Sequence, residues 1–123
     1  MLAGDGLMDI PDKFKNMPEE CLHWIRVTGE KLAQYEALAE YHGEYRKTYL
    51  ATLKIKLDGS DAKKDTEARA SEDYQDYLFK TFLEVNKRHR FYKHQMNWLN
   101  QRLNAWQTEC ANNRRELTSY KHG

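Results

Sequence analysis

Turn formers are scarce in this 123-residue chain: proline occurs twice and glycine six times. Long apolar runs are missing as well. No stretch approaches the roughly 18 consecutive apolar residues of a spanning helix, which excludes a membrane-spanning protein of that kind. Hydrophobic residues make up 40% of the chain and its mean hydropathy is -0.98, which argues against a compact enzyme with a deep core. Cysteine is limited to two residues, and there is no secretory or lipidation pattern. Both point to a reducing cytoplasm, where the thiols stay free. Catalytic signatures are missing too. There is no glycine-rich phosphate loop, no Gly-x-Ser-x-Gly elbow and no HExxH. The acidic residues are scattered as helix-face charges. The expectation is a non-enzymatic protein with no cofactor and no small-molecule substrate.

Aromatic residues and charge are what the chain does have. Eight Tyr and three Trp within a 12% aromatic content are too many for a disordered chain, while 32% of the residues are charged. A polar, aromatic, turn-poor chain reads as an elongated all-α protein with a narrow apolar seam. The net charge of +1 is unevenly distributed. Residues 1–76 carry 11 Lys and Arg against 16 Asp and Glu, and residues 77–123 carry 9 against 3. An acidic half and a basic half imply either attraction within the fold or a basic face kept for a partner.

The first 17 residues read as an irregular segment, with Met8 an alternative start to Met1. A domain over 18–123 follows. Asn16, Pro18, Glu19 and Glu20 make a helix start through cap, first-turn proline and dipole-favoured carboxylates. Asp58-Gly59-Ser60 is the only strong internal stop, and it opens a charged tip at about 58–72. Beyond it the chain is rich in helix formers up to Gly123.

Two seams emerge from the periodicity. Leu78, Phe82, Val85, His89, Tyr92, Met96, Leu99, Leu103, Trp106, Cys110, Asn113 and Leu117 step by 4 and 3 over more than five heptads. A weaker seam runs through Cys21, Ile25, Thr28, Leu32, Tyr35, Ala39, His42, Arg46, Tyr49 and Leu53. Together they predict a long antiparallel helical hairpin or coiled coil, helix 19–57 against helix 73–118. Apolar matching favours pairs whose residue numbers sum to about 131. That register puts Leu53 on Leu78, Tyr49 on Phe82, Leu32 on Leu99, Cys21 on Cys110 and His42 on His89. Sums of about 124 or 117 satisfy the same heptads with fewer apolar pairs. Trp24, Tyr41, Tyr45, Tyr74, Tyr77, Phe79, Phe91 and Trp98 are left outside the seam. So thin an object buries little surface, so these rings predict a homo-oligomer or a protein complex. Trp24, Tyr41, Tyr45, Phe91 and Trp98 are the candidate partner-packing aromatics.

The densest charge run, Lys87 to His94, supplies the candidate nucleic-acid or partner contacts: Lys87, Arg88, Arg90, Lys93 and His94. Arg114 and Arg115 extend the positive surface. The functional reading is phosphate contact with Phe91 supporting a base. The plainer reading is a solvated face, or one salt-bridged to the acidic helix, where Glu44 would face Lys87 in the 131 register. Tyr41, Tyr45 and Tyr49 form an i, i+4, i+8 ladder, either a stacking platform or packing surface against a helix. No metal site is expected. Cys21 with His23 is half a site without a second pair, and zinc needs about four converging ligands.

The runs EKLAQYEALAEYHGEYRKTYLATLKIKLDGS, ARASEDYQDYL and WLNQRLNAWQTECANNRRE resemble small coil-containing accessory proteins of tailed bacteriophages, over about residues 28–117. The resemblance implies a location in the host cytoplasm and a role near phage recombination or replication. It transfers no catalytic residue. Three functions follow. One is an accessory binder of nucleic acid or of a recombination or replication protein. Another is an inhibitor of a host nuclease or defence complex, anti-CRISPR-like or DNA-mimicking. The last is a structural coiled-coil assembly factor.

Overall fold

A computed structural model describes residues 10–122, with side chains to Ser119. The alternative start Met8 lies outside the described residues. These residues are all-helical, with no strand among them. Residues 10–18 are irregular. Helix α1 (Glu19–Ile55), α2 (Asp61–Ala70), α3 (Glu72–Tyr77) and α4 (Leu83–His122) follow, with a π-helical turn at Leu78–Phe82 joining α3 to α4.

Local chemistry sets each boundary. The Asn16 and Pro18 carbonyls accept the Glu20 and Leu22 amides, while the Glu20 carboxylate accepts the Lys15 amide at 2.9 Å. Two amides of the first turn of α1 thereby find partners, and the turn carries Glu19 and Glu20 at its positive end. After α1, Gly59 takes φ +117, a conformation that disfavours a Cβ. Ser60 then caps α2 through the Lys63 amide. Ser71 serves two helices: its hydroxyl donates to the Ala68 carbonyl at 2.7 Å and accepts the Tyr74 amide at 3.2 Å. In the π turn the Leu83 amide reaches the Leu78 carbonyl five residues back.

Packing divides the described residues into two units, one made of residues 10–31 and 92–122, the other of Leu32–Phe91. In the first unit Cys21, Thr28, Tyr92 and Leu99 are fully buried. The Cys21 thiol donates to the Leu99 carbonyl at 3.4 Å. A Cβ on Gly29 would stand 3.3 Å from the Met96 methyl, so the small residue admits a close approach. The second unit is built on Leu50, Ala68 and Tyr74, with Tyr49, Leu53, Leu57 and Leu78 packed against them.

The α1 seam lies where the periodicity puts it and the later seam does so as far as Cys110, but Asn113 and Leu117, expected on it, are exposed at the end of α4, where nothing packs over them among the described residues. Every residue of the α1 seam is buried or half-buried, and the later seam is so from Leu78 to Cys110. The 131 register is corrected. In the first unit Cys21 meets Leu99 instead of Cys110. In the second, His42 meets Tyr77 instead of His89, Tyr49 meets Tyr74 and Tyr77 instead of Phe82, and Tyr35 meets Arg88. Their numbers sum to about 119–126, roughly a heptad tighter.

The reason lies in the tip. The charged tip is helical and mostly exposed, and Lys54 binds Asp61 at 3.0 Å and Asp65 at 3.7 Å, linking α2 to α1. Ala68 is thereby buried, and Tyr74 follows it. Tyr74 is a core ring and Tyr77 is half-buried against the α1 tyrosines.

Candidate functional site

The second unit concentrates its rings in one ladder. On α1, Tyr41, Tyr45 and Tyr49 stand one helical turn apart, so their side chains share a face. Tyr41 stacks on Tyr45 at 5.6 Å and 12° between planes, and Tyr45 on Tyr49 at 6.0 Å and 8°. Tyr77 meets Tyr45 and Tyr49 edge-on, at 5.7 Å and 5.1 Å, and Tyr74 lies 6.3 Å from Tyr49. The His42 Nδ1 shares a 2.8 Å hydrogen bond with the Tyr77 hydroxyl. One side of the ladder is therefore packed and polar-satisfied. The other is open, with Tyr41 59% exposed and Tyr45 also exposed.

A shallow depression lies where the ladder meets α3, lined by Tyr45, Tyr49, Tyr77, Asp73, Asp76 and Lys80. α3 supplies its carboxylates, with Glu72 and Asp73 in its first turn and no basic residue in its last turn. Lys80, in the π turn, lies 3.7 Å from Asp76. Two carboxylates thus share the depression with one ammonium. Burial raises the Tyr49 pKa above that of a free tyrosine, and Asp73, Tyr45 and Asp76 raise it further. Burial raises the Tyr77 pKa, with Tyr45, Tyr74 and Tyr41 adding to it against an opposing Arg46. The arrangement presents π faces beside carboxylates, a combination that attracts cations.

The basic candidates separate. Arg88 is 5% exposed, donates to the Tyr35 hydroxyl at 2.9 Å and sits 5.7 Å from that ring. It faces inward and cannot reach a phosphate. Lys87 lies 3.4 Å from Glu84, and Glu44 lies 3.6 Å from Lys47. Those ion pairs stay within their own helices, and the expected Glu44–Lys87 pairing is replaced by them. Arg90 is exposed in the second unit, as Lys93, His94, Arg114 and Arg115 are in the first. Phe91 remains partly exposed.

Among the aromatics, Trp98 is covered within the first unit. Phe14 lies 6.2 Å from it, and the Arg102 guanidinium sits 5.3 Å from Trp98 and 5.8 Å from Phe14. The irregular segment thus shields a ring assigned to a partner. Trp24 is half-buried beside His23. Among the described residues no three His, Cys, Asp or Glu converge on a metal position. No described helix is long and apolar enough to cross a membrane.

Sequence reasoning missed Asp73, Asp76 and Tyr77 as neighbours of the ladder. A signal existed: one more step of four before Leu78 reaches Tyr74, which continues the seam into α3. No family model, curated protein or solved structure matches the chain.

Proposed function

We propose that the chain is a non-enzymatic accessory protein of the tailed-phage kind that works by docking on a protein. The observation that carries this reading is the half-open tyrosine ladder. Its inner side is fixed by Tyr74, Tyr77 and His42, while Tyr41 and Tyr45 remain at the surface. Rigid, exposed tyrosines supply contact area at low entropic cost and are enriched where proteins bind proteins. The resemblance to phage accessory proteins favours a recombination or replication protein as the partner. Self-association as an antiparallel coiled coil belongs to the same reading, since Ile55, Phe79 and Leu117 also expose apolar surface.

A nucleic-acid role is the second reading, favoured by exposed Arg90, Lys93, Arg114 and Arg115. It is the weaker one, because Arg88 is buried and Lys87 sits on Glu84.

The deciding experiment immobilises the full chain and compares capture from host and infected-cell lysates with that by Tyr41→Ser/Tyr45→Ser. A specific protein held by the wild type and lost by the variant supports docking on the ladder. Equal capture by both removes the ladder as the docking surface. An electrophoretic shift at low salt, with single- and double-stranded probes, tests the second reading. No shift at micromolar protein removes it.

A further inference from the structure

Building on the protein-docking reading, we propose that the depression beside the tyrosine ladder receives an arginine side chain from a basic segment of the partner. Three independent features meet there. The first is charge: Asp73 and Asp76 project from α3 into the depression, on a helix that holds Glu72 and Asp73 in its first turn. The second is the ring surface: Tyr45 and Tyr49 are parallel within 8° and line the same depression. A guanidinium stacks on such a face while its N–H fork reaches a carboxylate, a combination a compact ammonium reproduces poorly.

The third feature is the π turn. It follows Tyr77 directly and places Lys80 at the rim, 3.7 Å from Asp76. Lys80 is a resident cation at an exposed position, held by a weak surface pair. An incoming guanidinium with a better fit displaces it. The chain already uses this chemistry internally: Arg46 sits 5.0 Å from the Phe82 ring, Arg88 lies over Tyr35, and Arg102 lies over Phe14 and Trp98. One guanidinium at an open site binds in the millimolar range, about 1 mM or weaker. The partner's segment must therefore add contacts along Tyr41.

Calorimetric titration of the full chain at low salt with a capped tetra-arginine peptide tests this, with tetra-lysine and tetra-glutamate for comparison. Tetra-arginine is expected to bind most tightly and tetra-glutamate not at all. Asp73→Asn/Asp76→Asn and Tyr45→Leu should each weaken binding by about fivefold or more. Lys80→Ala should tighten it about twofold, because Asp76 is freed. Glu67→Gln on α2 should change nothing. The aspartate and lysine changes lie at the surface, so they remain informative should Tyr45→Leu fail to fold. Tetra-arginine binding that ignores these substitutions, or equal affinity for tetra-lysine, overturns the inference. Self-association abolished by Arg114→Ala/Arg115→Ala would make a second copy of this chain the occupant and also overturn it. Should the peptide fail while ladder-dependent protein capture persists, the arginine site falls and protein docking stands.

Discussion

The imidazole Nδ1 of His42 lies 2.8 Å from the hydroxyl of Tyr77, with the Tyr77 ring set edge-on against Tyr45 and Tyr49. This contact joins α1 to the last residue of α3 and holds the inner side of the ladder. Removing either polar group should strand the other in a half-buried position. Each of His42→Phe and Tyr77→Phe is expected to cost about 1 kcal/mol, and a double-mutant cycle should return a coupling of similar size. Denaturant melts of the four chains measure it.

The same rings set an alkaline limit. Burial pushes up the pKa values of Tyr77 and Tyr49, and neighbouring tyrosines and aspartates add to the shift. The folded state therefore holds these protons more tightly than the unfolded chain. Their contribution is complete below the ordinary tyrosine pKa of about 10 and is lost as pH rises through the folded values. Absorbance titration of phenolate should show a fraction of the eight tyrosines ionising late. Tm should fall over the same range, and less so in Tyr77→Phe.

Arg88 separates structure from recognition. Its guanidinium is buried on Tyr35, so Arg88→Ala should destabilise the fold by about 1.5–3 kcal/mol. Arg88→Lys should recover little, because an ammonium lacks the planar fork. Neither change should alter the salt dependence of any nucleic-acid binding, whereas Arg90→Ala would if that surface touches phosphate. A stability effect with an altered salt slope would return Arg88 to the binding surface.

Much of the fold was legible in the sequence because heptad spacing survives translation into burial. Cys21, Thr28, Tyr92 and Leu99 are the most deeply buried residues, and each stands on a seam read from spacing alone. The register was not legible, since a heptad repeat is satisfied equally by shifts of seven residues. The choice was made by short-range chemistry at the tip: the double cap at Ser71, the Lys54 ion pairs and the buried Ala68. The π turn is equally silent in sequence. Of the candidate site, Tyr41 and Tyr45 were visible through their i, i+4 spacing. Asp73 and Asp76 were hidden within a stretch that reads as plain charged helix.

Two stability tests follow from the core. The Thr28 hydroxyl is fully buried without a hydrogen-bond partner. Thr28→Val keeps the shape and removes that group, so it should stabilise the chain by about 1 kcal/mol. Ser71→Ala removes a bond from each of two helix ends and should cost about 1–2 kcal/mol. Thermal melts with unchanged helical circular dichroism check both.

Fluorine NMR of the chain carrying 3-fluorotyrosine asks most directly whether recognition belongs to the ladder. Tyr→Phe changes assign Tyr41, Tyr45 and Tyr49, and the labelled chain is titrated with tetra-arginine peptide and, separately, with single-stranded DNA. The account predicts that the peptide moves the Tyr45 and Tyr49 resonances in a saturable way, while DNA leaves all three in place. Ladder resonances that stay fixed under the peptide and shift under DNA would contradict it.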